Sequence, residues 1–419
     1  MTTFAHEHKL TSSKLDFTTH ADAWIAQLEA ALSKAYPDVS LCSSTRSSDF
    51  GGTFIDLGTI RSDREHRSRL GLLVEQESTR SQFYVVGDEP IDDNLINTLL
   101  KSVQQACQRA AAEASDFEWS ALLTQTPRML SHPSRLESPM QIGTMTLRAT
   151  DTDFTDLVYH YDSGNSMSSG YKMQVSRPIW VTGRTNASSI ESAISRAGRE
   201  LRRLCGLLAV AWDVPYEIAV APMPQYDQGP SQYRNRPGMR LVQEAPPVEK
   251  WQAHPVPNWL DDAWSPAAKK ELTSALDMFL EGEYVGARHP SLSAVCYVAA
   301  IEAIGNTLFT TEVCQCCNSV QGATRKYKAS IRLVVSEHVA RELDRVYKWR
   351  STTVHQGSLH STEVNWSRGW AHMLDPHYSK NLTHVIPELR RAARLLIVRG
   401  LNDELPESRP LQVAERTEG

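Results

Sequence analysis

The sequence predicts an α+β multidomain protein, with N-terminal α/β units of mostly antiparallel strands followed by a C-terminal all-α helical bundle. Three observations predict this class. Short runs of β-branched and aromatic residues, broken by Gly, Ser and Asp clusters, recur through the first 221 residues between helical patterns. Residues 222–258 carry eight prolines and little periodicity. From Trp259 onward apolar residues return only at helical spacing.

A chain of 419 residues has room for two or three domains. Hydrophobic content of 41% and charged content of 22% are values of a globular protein, not a disordered one. No run of 18 or more apolar residues occurs, so no partnership with a membrane is expected. The start, Met1-Thr2-Thr3-Phe4, lacks the basic and apolar blocks of a secretory signal. Seven cysteines, three of them in Cys314-Gln315-Cys316-Cys317, do not form a disulfide framework, so a reducing, cytoplasmic setting is expected.

In chain order, residues 1–20 read as a flexible lead-in, polar and weakly patterned. Residues 21–116 read as a small α+β domain. A helix over 21–36 places Trp24, Ile25, Leu28 and Leu32 on one face. Strands follow at 39–42, 53–57, 70–74 and 82–86, and a helix over 92–114 carries Leu95, Leu99, Val103 and Ala106 as a stripe. Residues 117–221 form a second α+β unit, with strands at 140–148, 154–161, 171–182 and 216–221. Its helix opens after Asn186-Ala187-Ser188-Ser189 and carries Ile190, Ala193, Ala197, Leu201 and Leu204. Residues 222–258 read as a Pro-rich linker. Residues 259–401 read as a bundle with helices at 266–282, 290–308, 324–335, 337–355, 364–374 and 379–401; short loops between them imply antiparallel neighbours. Residues 402–419 read as a disordered tail.

Charge is unevenly spread. Between Gly322 and Gly400 there are 14 Lys/Arg against 6 Asp/Glu, a surplus of 8; with a net charge of −5 overall, the rest of the chain sums to −13. A solvated helix surface explains such a split, and so does an anionic ligand. Within this segment, Tyr347-Lys348-Trp349-Arg350-Ser351-Thr352-Thr353-Val354-His355-Gln356-Gly357 places a permanent cation and a neutral-pH proton carrier five positions apart, with glycine two further on. Those two groups are suited to metal-free cleavage of RNA: histidine takes the 2'-hydroxyl proton and arginine stabilises charge on the phosphoryl oxygens. On a regular helix they lie about 140° apart, so a single helix struggles to aim both at one phosphate. Two such helices across a two-fold axis would bring them around one cleft, and distortion of the last turn before Gly357 would also help. The alternative is an arginine paired with a carboxylate and a histidine at a helix C-terminus.

The order of Val298-Ala299-Ala300-Ile301-Glu302-Ala303-Ile304-Gly305, then Cys314-x2-Cys317, then Arg350-x4-His355-Gln356-Gly357 resembles the HEPN superfamily, in particular its Apea-like branch, over residues 265–401. The resemblance implies a helical bundle that dimerises through the Arg-x4-His helix. It implies a ribonuclease, often a defence or toxin effector, with RNA as substrate and no cofactor required. Arg350 and His355 would be catalytic. Ser351 stands where many such nucleases have Asn, Asp or His. A non-catalytic HEPN scaffold that binds nucleotides or oligomerises is the other function the superfamily implies.

Glu302 interrupts an apolar helix, needs a partner, and would orient Arg350; a place on the bundle rim fits as well. Lys348 and Tyr347 are candidate RNA contacts, and Tyr347 and Trp349 suit core or dimer packing equally. Cys314 and Cys317 have the spacing of half a structural zinc site, to be completed by His289, His360, Cys296 or a second chain; reduced loop cysteines are the alternative. No nucleophile, metal or phosphate-loop pattern appears in residues 1–250. That region is expected to regulate, through a ligand or a protein.

Overall fold

The computed structural model describes residues 5–36, 42–47, 52–57, 70–76, 80–112, 114–125, 134–149, 157–161, 172–175, 178–224, 240–241, 252–254, 257, 259–286, 289–310, 312–313, 320–359 and 385–408. The fold is α+β with mostly antiparallel strands, and it divides into two units: Met1–Trp119 with Arg184–Ala197, and Ser120–Gly183 with Gly198–Gly419.

The first unit contains β1 (His6–Ser13), α1 (Phe17–Ala35), β2 (Cys42–Ser47), β3 (Gly52–Asp56), β4 (Leu70–Gln76), β5 (Ser81–Gly87) and α2 (Asp93–Ala112). Its sheet has the order β1-β5-β4-β3-β2, antiparallel throughout. Period-two alternation turns Leu72, Val74, Phe83 and Val85 to one face. There they meet Trp24, Leu28 and Leu32 of α1 and Leu95, Leu99 and Val103 of α2. Each such side chain contributes about 1.5–3 kcal/mol on burial. The lead-in expected over residues 1–20 instead supplies edge strand β1. That strand is held to β5 by the backbone ladder, and its side chains are mostly exposed, so no apolar alternation marks it in the sequence.

The second unit draws on β6 (Ser115–Gln125), β7 (Ser134–Leu136), β8 (Met140–Ile142), β9 (Met145–Ala149), β10 (Leu157–Tyr161), β11 (Lys172–Val175), β12 (Ile179–Ala187), α3 (Ile190–Trp212) and β13 (Tyr216–Pro224). The elements β6, β12 and α3 contribute residues to both units. The strands form a sheet of order β13-β6-β12-β9-β8. The single strand expected over 140–148 is the hairpin β8–β9, turned at Gly143 with φ +56. A Cβ at that glycine would meet Trp264 Nε1 at 2.5 Å. The strand expected over 171–182 is likewise two, β11 and β12, with Pro178 between them.

The proline-rich segment is more than a linker. Its β14 (Arg240–Leu241) pairs with β10, and its β15 (Gln252–His254) pairs in parallel with β7. Strands of two or three residues leave no periodicity to read. His254, 2% exposed, stacks on Trp212 with centroids 4.8 Å apart and planes at 9°, and Tyr216 meets it edge-on.

Helices α4 (Leu260–Ala263), α5 (Lys270–Gly286), α6 (Pro290–Leu308), α7 (Ala323–Ile331), α8 (Glu337–Gln356) and α9 (Ile386–Leu401) follow, with a 3-10 turn at Pro266–Ala268. The helix expected over 266–282 is that turn and α5; the one expected over 364–374 lies outside the described residues. Helix α6 packs against α5, α7, α8 and α9 and buries Val298, Ile301 and Ile304. It has the length and hydropathy of a membrane span, but over half of it is buried in the protein.

The expected boundaries at 117–221 and 259–401 do not hold. Asp22 accepts hydrogen bonds from Ser189 and Ser192, which ties the start of α3 to the first unit. The rest of α3 belongs with the bundle, since Arg202 pairs with Asp277 (3.0 Å) and Glu281 (2.6 Å) of α5. Arg394 Nε of α9 donates to Val210 O at 2.6 Å, and Arg390 pairs with Asp213 at 2.6 Å. Arg390 also grips the fully buried Glu283 carboxylate through Nε (2.6 Å) and Nη2 (3.1 Å), while Tyr297 donates to it at 2.6 Å. This clasp gives a buried charge the partners it needs. The tail expected over 402–419 begins as a capping turn: Asp403 N–H and Glu404 N–H donate to Gly400 O and Arg399 O, and Leu405 lies against Gly400. Residues beyond 408 lie outside the described ones.

Candidate functional site on helices α6 and α8

Ser336 caps α8 by accepting from Val339 N–H, and Ala340, Leu343, Val346 and Thr353 turn the helix onto the bundle. Gly357 closes it at φ +66, its N–H bonded to Thr353 O (3.1 Å) while Ser358 N–H reaches Thr352 O (3.4 Å). The helix is α-helical through Gln356, so no unwinding before Gly357 swings His355 toward Arg350. His355 is exposed in the last turn, as is Val354, and Ser351 is half-buried.

Arg350 faces α6. Its Nη2 donates to Glu302 Oε2 at 3.2 Å, with side-chain exposures of 25% and 18%. Tyr347 Oη donates to Glu302 Oε1 at 2.8 Å, and the Tyr347 ring packs on Tyr327 at 5.1 Å. Burial, then the hydrogen bond to Glu302, pushes the Tyr347 hydroxyl above its ordinary pKa, so it stays a donor at neutral pH. Arg350 Nε is buried without a hydrogen-bond partner among the described residues, a stored cost that a bound anion could relieve.

The structure thus brings Glu302, Tyr347 and Arg350 together within one chain and leaves His355 apart. Tyr347, expected as an RNA contact, has its hydroxyl committed to Glu302. Lys348 is exposed on a groove of about 500 Å³ lined also by Thr324, Lys328, Asp344, Arg345, Tyr347 and Trp349. Lys328 and Arg345 escaped the sequence reading. The signal for Arg345 was its spacing to Lys348 and Trp349, three and four residues on, which shares a helix face.

Cys314 and Cys317 lie outside the described residues, as does His360. Of the other suggested zinc ligands, His289 is the N-cap residue of α6, and burial pushes the Cys296 thiol up to about 11. Among the described residues no group of three or more His, Cys, Asp or Glu side chains is placed to hold a metal. Comparison with protein-family models, curated proteins and solved structures finds no match.

Proposed function

We propose that the protein is a metal-independent endoribonuclease of HEPN type, acting as a homodimer in the cytoplasm as a regulated defence or toxin effector. The observation that carries this reading is the Tyr347–Glu302–Arg350 relay. It holds a guanidinium from one side and leaves Nε without a hydrogen-bond partner among the described residues. In the reaction, His355 takes the proton of a ribose 2'-hydroxyl, and that oxygen attacks the adjacent phosphorus. Arg350 stabilises the negative charge that grows on the phosphoryl oxygens. The bond to the 5'-oxygen breaks, and a second histidine or a water returns a proton to it. The products are a 2',3'-cyclic phosphate and a 5'-hydroxyl.

Because Arg350 and His355 diverge on a regular α8, a productive site takes Arg350 from one chain and His355 from its two-fold mate. Ser351 is polar and adjacent, suited to orienting the histidine or the phosphate. The test is cleavage of a fluorogenic RNA and of its 2'-deoxy counterpart. His355→Ala should lower RNA cleavage by about 10²–10⁴-fold. Arg350→Lys, which loses the fork of donors, should do nearly as much damage as Arg350→Ala. Equal cutting of the deoxy substrate would defeat the transesterification.

One observation favours a second reading, a non-catalytic nucleotide-binding or oligomerisation scaffold. Arg350 is already engaged by Glu302, and His355 stands apart from it. A dimer that binds RNA but cuts none of it would decide for the scaffold.

A further inference from the structure

The groove beside the Glu302–Arg350 pair carries chemistry that the cleavage step does not use. Its one carboxylate is already neutralised: Asp344 receives Arg332 Nη2 at 3.0 Å and Lys328 Nζ at 3.6 Å. Arg345 and Lys348 are exposed and have no carboxylate partner among the described residues, so the groove carries net positive charge. Trp349, half-buried, adds an aromatic surface on the same face of α8. Tyr347 joins the groove to the relay, since its ring lines the one and its hydroxyl anchors the other. The volume, about 500 Å³, lies within the roughly 300–1,000 Å³ of sites that hold small ligands.

We infer that this groove binds a single-stranded polynucleotide next to the point of cleavage, with phosphates on Arg345 and Lys348 and a base stacked on Trp349. Cations that track a backbone beside an aromatic platform are how single strands are held without sequence preference. Phosphate and base are common to RNA and DNA, so binding through Arg345, Lys348 and Trp349 is blind to the sugar, whereas cleavage depends on it. The inference rests on the ribonuclease reading for its purpose but not for its chemistry.

Fluorescence anisotropy of the full chain with 5'-labelled 12-mers of uridine and of thymidine tests it. Both strands should bind with affinities within about threefold of each other. The double variant Arg345→Glu/Lys348→Glu should weaken both and flatten the dependence of log affinity on log salt by about 1.4, at ~0.7 for each phosphate no longer neutralised. Trp349→Ala should weaken binding by roughly tenfold with the salt slope unchanged, and Trp349→Phe should recover most of that. Where RNA is cut, the charge-reversed variant should show a raised KM. A thymidine strand that fails to bind, a salt slope unmoved by charge reversal, or a decamer of glutamate that competes as well as the 12-mer would each overturn the inference. A chain that binds both strands through the groove yet cuts neither keeps it and removes the ribonuclease reading. RNA cleavage with KM unmoved in the groove variants keeps that reading and removes the groove.

Discussion

Replacing His254 with phenylalanine should blunt the protein's sensitivity to acid. Burial holds the imidazole neutral and brings its pKa from 6.5 down to about 4, while in the unfolded chain it protonates at its ordinary value. Between those two values the unfolded chain binds a proton that the folded chain refuses. The stability contributed by this residue is therefore fully present above about pH 6.5 and is lost as pH falls toward 4. At about 1.4 kcal/mol per unit, going from about pH 7.5 to about pH 5 removes about 2 kcal/mol through this residue alone. Phenylalanine preserves the stack on Trp212 and deletes Nε2, a buried nitrogen with no hydrogen-bond partner among the described residues. Every other acid-titrating group is common to both proteins, so the difference between them isolates His254. In urea unfolding followed by tryptophan fluorescence, the wild-type midpoint should fall between the two pH values by roughly 0.5–1 M more than the variant's. Parallel falls would refute the claim that this histidine is kept neutral by burial.

Arg390→Met should destabilise the fold by about 3–5 kcal/mol, because it strands the Glu283 carboxylate at zero side-chain exposure; adding Glu283→Gln should recover part of the loss in thermal melts. Glu302→Gln and Tyr347→Phe should each lower RNA cleavage by about tenfold, less than Arg350→Ala does, through the loss of a charge-assisted hydrogen bond. Their melting temperatures should stay close to that of the wild type. Gly357→Ala should cost about 1 kcal/mol in chemical unfolding, since the position needs φ +66 although no neighbour crowds it. RNA cleavage should survive EDTA; loss of activity with the fold intact would contradict the mechanism.

What the sequence revealed depended on how each element is held. The bounds of α6 were legible because Pro290 opens a mostly apolar stretch. The sheet of the first unit was legible because Leu72, Val74, Phe83 and Val85 alternate over one core. Strand β1 was hidden because it is attached through its backbone, and β6 because Trp119 to Gln125 is buried without alternation. The division of the chain was misread at α3, whose first turns answer to Asp22 and whose last turns answer to α5 and α9. Helical periodicity cannot tell one burial surface from two. At the candidate site, Glu302 stood out as a carboxylate in an apolar helix. Tyr347 was legible as an RNA contact or a packing residue but not as the second donor to Glu302, because an aromatic at helical spacing looks like core. The groove requires α7 and α8 side by side, and only tertiary structure supplies that.

The clasp that α9 places on α3 has a bearing on how the chain comes off the ribosome. Arg390 and Asp213 are 177 residues apart, and Arg394 and Val210 are 184 apart. At about 5–20 residues per second, translation takes on the order of 10–35 s to pass from one to the other. Through that interval the guanidiniums of α9 are missing both from the end of α3 and from Glu283, 107 residues ahead of Arg390. Bundle closure is therefore timed by a late-emerging helix, and a nascent chain halted before it holds an open assembly. Stalled chains that end before residue 386 should be cut by protease between α3 and α6, whereas chains that end well past residue 401 should resist. Equal resistance would mean the bundle closes without its arginines.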